Sequence, residues 1–195
     1  MIVAGVDYSL TSPAICVHKG TVWSFRNCEF YYMVKNDKLM VAEEQFHPVV
    51  YPSFDDDMHS FENLSSWSLN IISKSKVGLV FIEGYAFGAV GRVFQIAENT
   101  GLLKYLISRV HGIPYRTFAP TVIKKFATGK GNANKEKMYD AFFSETGVDI
   151  REKIGIIKTN QWNPVSDIVD AYYIAKYGFM ENQDESEKKE RTNGG

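Results

Sequence analysis

Four carboxylates in this chain stand in apolar surroundings that ordinarily exclude a charge. Asp7 closes Ile-Val-Ala-Gly-Val-Asp, Glu83 closes Gly-Leu-Val-Phe-Ile-Glu, and Asp167 and Asp170 stand three apart in Ser-Asp-Ile-Val-Asp-Ala-Tyr-Tyr-Ile-Ala. Taking an unpaired ion out of water is costly, so acids placed like this are held by a cation or by donors. Singly, three of them have plainer readings. Asp167 complements a helix dipole, Glu83 marks where a strand meets water, and Asp7 is a turn acid before Tyr8-Ser9. Asp170 resists such a reading, because Ile168, Val169, Ala171, Tyr172, Tyr173, Ile174 and Ala175 leave little of its helix polar. Its offset from Asp167 puts both on one helix face. Taken together, the four read as one metal site.

Carboxylates supply only hard oxygen ligands, which select magnesium, with manganese as its substitute, over zinc or copper. Two such ions about 3.5–4 Å apart activate an attacking water and stabilise a leaving oxygen in phosphodiester cleavage. The run Asp55-Asp56-Asp57 is a rival, but its Pro-interrupted setting fits a solvated loop or helix cap better.

With 195 residues, 45% of them hydrophobic, the chain is long enough for one core and short for two. The expected organisation is one domain over residues 1–180 and a disordered polar tail over 181–195. Cys16 and Cys28 cannot make a disulfide framework, so free buried thiols are expected. No apolar run approaches the roughly 20 residues of a membrane span, and the start lacks a basic leader segment. A soluble, cytoplasmic protein without membrane contact is expected. The net charge of −1 excludes indiscriminate polyanion binding but not a local basic patch.

Residues 1–7 and Ala14–His18 read as buried strands, and Thr21–Glu29 after the Lys19-Gly20 turn as a third, antiparallel strand. Residues 36–57 read as an irregular excursion. His59–Lys74 carries an apolar stripe at helical spacing, then a strand ends at Glu83. Val90–His111 is the longest periodic segment, with Gly101 permitting close approach of another element. A strand over Pro114–Phe118 and helices over Pro120–Ala127 and Asn134–Glu145 follow. Asn163-Pro164 is a helix start, Asn as N-cap and Pro at N1, for a helix to Phe179. The order predicts an α/β fold, a mixed sheet with an antiparallel meander followed by parallel strands, and helices on its faces. Ligands gather beyond strand carboxyl ends in such sheets, where Asp7 and Glu83 are expected.

Residues 124–137 carry Lys124, Lys125, Lys130, Lys135 and Lys137 against Glu136 alone, interleaved with Gly129, Gly131, Asn132 and Asn134. Glycines let backbone approach a phosphate and lysines bring mobile charge, so this is a candidate DNA-contacting segment, with a solvated surface as the plainer alternative. Arg92, Lys104, Arg109 and Arg116 could extend the patch. Tyr85 and Phe87, just past Glu83, are candidates to stack on unpaired bases or, equally, ordinary core rings.

Gly5-Val6-Asp7-Tyr8-Ser9, Phe81-Ile82-Glu83, Ala119-Pro120-Thr121-Val122-Ile123-Lys124, Gly129–Lys135 and Ser166-Asp167-Ile168-Val169-Asp170-Ala171 occur in this order over most of the chain. Together they resemble the RuvC family of Holliday junction resolvases, within the RNase H-like nuclease superfamily. The divergent members from large DNA viruses and phages are more similar than the cellular enzyme. The resemblance implies an RNase H-like five-stranded mixed sheet and a magnesium-dependent homodimer that cuts opposed strands of a four-way DNA junction. It implies Asp7, Glu83, Asp167 and Asp170 as catalytic metal ligands, Lys124 and Lys135 as functional lysines, and the segment near Val90–His111 as a dimer element. Where the family often has an aromatic wedge three residues after its glutamate, this chain has Ala86. Two alternatives stand beside this reading. One is an RNase H-like nuclease for other branched DNA or RNA–DNA hybrids, and the other a non-catalytic junction-binding protein.

Overall fold

The computed structural model describes residues 1–35, 40–41, 43–85, 91–156 and 160–193, with side-chain surroundings to residue 188. Six strands form one sheet in the order β4-β3-β2-β1-β5-β6, one more than the five expected. They are β1 (Val3–Asp7), β2 (Ala14–His18), β3 (Cys28–Val34), β4 (Phe46–Val50), β5 (Leu79–Glu83) and β6 (Tyr115–Phe118). The first three are antiparallel neighbours, while β1/β5, β5/β6 and β3/β4 run parallel. Every residue of β1 is buried, as a strand covered on both faces must be.

Among the described residues the α-helices are α1 (Asp57–Lys74), α2 (Val93–Tyr105), α3 (Pro120–Thr128), α4 (Lys135–Thr146), α5 (Ile150–Lys153) and α6 (Val165–Asn193). The sheet divides the core. Leu64, Ile72 and Leu103 of α1 and α2 pack on Val6, Ile15 and Ile82, while α3, α4 and α6 pack on the face bearing Cys16, Phe30 and Phe81. The two cysteines are free and buried, as expected.

Helix α6 lies unusually close to the sheet. A Cβ on Gly5 would fall 2.2 Å from the Ala175 backbone nitrogen, and one on Gly178 would fall 2.3 Å from Phe81 Cγ. The two glycines set the depth at which the helix settles, and so the height of Asp167 and Asp170 above the ends of β1 and β5.

Several expectations are corrected. The third strand begins at Cys28, not Thr21. Trp23 and Phe25 leave the sheet edge to pack on Tyr172, with centroids at 5.4 and 6.3 Å, and a 3-10 turn over Phe25–Asn27 joins them to β3. The 36–57 excursion contains β4, whose Pro48 is tolerated because the strand is at the sheet's edge. The long helix expected over Val90–His111 ends at Tyr105 and continues as a π turn over Leu106–Val110; Val90 lies outside the described residues.

The last helix does not stop at Phe179. Residues 181–193 continue it, with Arg116 making two bonds to Glu185 at 2.9 and 2.8 Å, and Gln183 bonding the Thr21 carbonyl. Glu, Lys and Gln are good helix formers, and the stretch meets no Gly or Pro before residue 194. Among the described residues no helix is long and apolar enough to cross a membrane.

Candidate active site

Asp7 is the last residue of β1 and Glu83 the last of its parallel neighbour β5, so register alone brings both carboxylates to one sheet end. Asp167 and Asp170 lie in the first turns of α6, whose N-terminus meets the same end. Asp7 and Asp167 are buried, while Glu83 and Asp170 keep part of their surface in solvent.

Asp7, Glu83 and Asp167 each feel the charge of at least one other acid. Burial, then the charges of Asp167, Glu83 and Asp170, raises Asp7 well above the usual carboxylate range, with Lys135 opposing. Burial and then Asp170 push Glu83 up to about 7 against the pull of Lys124. Burial also pushes Asp167 up to about 7, opposed by the Ser12 hydroxyl and Lys135 and aided by Asp170. Asp170 is pushed up to about 6 by burial, with Lys124 and Lys135 opposing. Low dielectric and like charge both disfavour ionisation, so the cluster favours any cation that can neutralise it.

As the side chains stand, no three His, Cys, Asp or Glu among the described residues are gathered into a cage for an ion. The donor chemistry nevertheless fits a hard divalent cation. All four groups offer only oxygen, and Asp167 Oδ2 is buried without a hydrogen-bond partner. The rival run Asp55-Asp56-Asp57 begins α1 instead, with Asp56 Oδ1 accepting from the His59 amide at 2.8 Å.

Of the candidate DNA-contacting lysines, Lys124 in α3 and Lys135 at the start of α4 stand where their charge reaches the acids. Lys125 and Lys130 are exposed farther along the same segment. Lys135 Nζ donates to Asn163 Oδ1 at 3.2 Å, and Asn163 Nδ2 donates to Ser12 Oγ. Asn163 was expected to cap the last helix, which begins at Val165; its side chain ties the lysine to the β1–β2 turn instead. The sequence offered no signal for this network.

Tyr85 is held beside Glu83. Its hydroxyl donates to the Ala97 carbonyl at 3.3 Å, and Lys104 lies 5.1 Å from its ring centroid. Tyr85 lines a cavity of about 180 Å3 that runs from Asp7 and Glu83 to Ile96 and Thr100 of α2. Phe87 lies outside the described residues. Lys104 is half-buried over the Tyr85 and Tyr115 rings and Arg116 is paired with Glu185, so neither extends a free basic patch.

No protein-family model matches the sequence. Over 88 residues the chain is 32% identical to the crossover junction endodeoxyribonuclease RuvC of Gloeobacter violaceus, a match spanning 45% of this chain and 48% of that protein. The chain thus aligns with about half the length of that curated relative. Among solved structures, Thermus thermophilus RuvC superposes with a TM-score of 0.58 at 15% identity, covering 94% of this chain and 96% of that one. The same protein in complex with Holliday junction substrate gives 0.59 at 17% identity, covering 93% and 96%. The yeast mitochondrial Holliday junction resolvase gives 0.50 at 14%, covering 89% and 75%.

The chain therefore has an RNase H-like fold. Within that class it is similar in fold to Thermus thermophilus RuvC, with six strands in its mixed sheet where five were expected.

Proposed function

We propose that this chain is a divalent-metal-dependent endonuclease that cuts four-way DNA junctions. One observation carries the reading: Asp7, Glu83, Asp167 and Asp170, drawn from two adjacent strands and one helix, lie close enough that the charges of the other three raise Asp7 and the charge of Asp170 raises Glu83 and Asp167. A structural acid is ordinarily satisfied by donors, whereas Asp167 Oδ2 is buried without one. The local likeness to a crossover junction endodeoxyribonuclease and the RuvC-type fold support the choice of substrate.

In this reading the four carboxylates hold magnesium, or manganese in its place, and the metal supplies the activated water and the stabilisation of the leaving oxygen. Lys124 and Lys135 sit at the rim, where they balance the acids and meet backbone phosphates together with Lys125 and Lys130. Tyr85 walls the cavity beside the reacting position. Such a protein works where DNA is, in the cell interior or at a viral replication site.

Two opposed cuts need two sites, so we assign the protein as a two-fold homodimer. Phe94 and Tyr105 are 81% and 58% exposed on α2. Eleven residues apart, they share a helix face with Gly101, where an added Cβ would meet nothing within 4 Å. An open face of this kind, with two exposed rings and Glu98 beside them, suits a partner helix.

The test compares cleavage of a synthetic four-way junction, a flap, a duplex and an RNA–DNA hybrid in magnesium. Paired nicks on opposed strands of the junction are expected, with Asp7→Asn, Glu83→Gln, Asp167→Asn and Asp170→Asn each inactive yet still binding. Preferred cutting of the hybrid or flap would replace the substrate assignment. Binding without cutting by the unaltered chain would make it a junction-binding protein.

A further inference from the structure

A second recess, sharing no lining residue with the cavity at Asp7 and Glu83, opens between the β1–β2 turn, the end of β3 and the segment before α6. It encloses about 390 Å3, within the range of small-ligand pockets. Val34 and Pro164 give it apolar walls, Trp162 an aromatic one, and Thr11, Gln161 and Lys35 its polar groups. Ser12 and Asn163 line it too, and they belong to the network that reaches Asp167 and Lys135. The recess and the acids thus share a wall.

Trp162 is fixed before any ligand arrives. The Arg151 guanidinium lies over its ring at 4.6 Å from the centroid and Tyr139 meets it edge-on at 6.4 Å. Arg151 also bonds the Gln161 carbonyl at 2.9 Å, and Gln161 Nε2 donates to the Asn163 carbonyl at 3.3 Å. A rigid ring, a side-chain amide and a single ammonium suit a ligand with a flat π-face, a hydrogen-bonding edge and one adjacent negative charge. That is a nucleotide, and on this enzyme it is one nucleotide of the DNA strand. A bare phosphate fits less well, since among the described lining residues Lys35 is the one cation, and Met33, Val34 and Pro164 are apolar.

We propose that this recess takes one unstacked nucleobase of the strand being cut, next to the scissile phosphate, and that Gln161 and Trp162 set the base preference of the cut. The inference rests on the nuclease reading above. Extracting a base from the stack costs a few kcal/mol, and stacking on an aromatic with edge hydrogen bonds offsets it. A junction centre, where stacking is already interrupted, lowers that cost.

The test has a binding arm and a cutting arm. Junctions carrying one abasic residue at successive positions are titrated in calcium, where no cutting is expected, and affinity is read by anisotropy. One position should weaken the unaltered protein by about 5- to 150-fold, the range of one base–aromatic stack. In Trp162→Ala that difference should vanish, and in Trp162→Phe most of it should remain. Should Trp162→Ala fail to fold, Gln161→Ala carries the second arm. Sequencing of cut sites on junctions with randomised cores should show a preference at the same position, flattened by about 5- to 150-fold in this variant. No abasic position with a selective cost, an equal cost in Trp162→Ala, or an unchanged cut-site distribution in Gln161→Ala would overturn the inference while leaving the nuclease reading intact. Abasic sensitivity without cutting of any substrate would overturn the nuclease reading and keep the recess as a base-binding site. Failure to bind DNA at all would overturn both.

Discussion

Lys135 Nζ and Asn163 Oδ1 meet at 3.2 Å, joining the start of α4 to the segment that leads into α6. The ammonium is exposed to solvent, yet it favours the ionised forms of Asp7, Asp167 and Asp170. A residue that looks like a simple phosphate contact is therefore also part of the electrostatic setting of the acids.

Lys135→Ala should accordingly act twice. It should weaken junction binding for all sequences and reduce the salt slope by about 1, as loss of one phosphate contact does. It should also shift the pH dependence of magnesium binding upward, because the acids lose a charge that favours their ionisation. Lys125→Ala should change the salt slope alone. Binding titrations across salt and pH separate the two, and an unchanged slope in both variants would return the segment to plain surface.

The acids also predict how the metal-free protein responds to pH. Their folded values are raised to about 7 for Glu83 and Asp167 and about 6 for Asp170. Unfolded values lie near about 4. Below that the groups are protonated in both states. Between there and about pH 7 the folded chain holds protons that the unfolded chain has lost, so stability falls as pH rises. The metal-free melting temperature should drop across this window while the magnesium-induced rise grows, since the proposed ligands bind a cation as deprotonated carboxylates. Asp170→Asn should raise the metal-free value by about 2–4 °C and shrink the magnesium shift. Thermal melts over pH with and without magnesium check this; a lowered metal-free value would mark Asp170 as a structural acid.

Phe94→Glu and Tyr105→Glu should give folded monomers that cut junctions poorly, because each places a charge on the exposed apolar face of α2. Both side chains are open in the isolated chain, so folding should change by roughly 0.5 kcal/mol or less. Sedimentation alongside cleavage reads the outcome, and a monomeric unaltered protein that cuts both strands would contradict the dimer.

Gly5→Ala should be among the most damaging single changes. Its methyl would lie 2.2 and 2.5 Å from backbone atoms of Ala175 and Ala171, which cannot rotate aside. A cost of about 3 kcal/mol or more is expected from such overpacking. Gly101→Ala, where an added Cβ meets open space, should leave monomer stability equal or higher. Denaturant melts of the two variants compare the sites directly.

The strand ends were legible because an acid closing an apolar run is rare, and the helix pair because its three-residue spacing fixes a shared face. What misled were residues whose partners are distant in sequence. Trp23 and Phe25 alternate like a strand but answer to Tyr172 on the far helix. Pro48 hid β4, since proline is read as a strand breaker and only the edge position excuses it. The 181–193 stretch is polar, as a disordered tail would be, yet Arg116 and Thr21 supply it with anchors on the sheet side. Gln161-Trp162-Asn163 carried no local signal of its own, because its meaning comes from Ser12, Arg151 and Lys135, all remote along the chain.

The distribution of the four acids along the chain has a consequence for synthesis. Asp7 and Glu83 are made early, but half of the proposed donor set rides on α6, the final helix in the sequence. A growing polypeptide can pair β1 with β5 and still lack Asp167 and Asp170 until α6 is made and settles against Gly5. On the proposed reading the donor set is completed only when α6 docks against Gly5, so covering one face of the sheet and assembling the metal site are a single event.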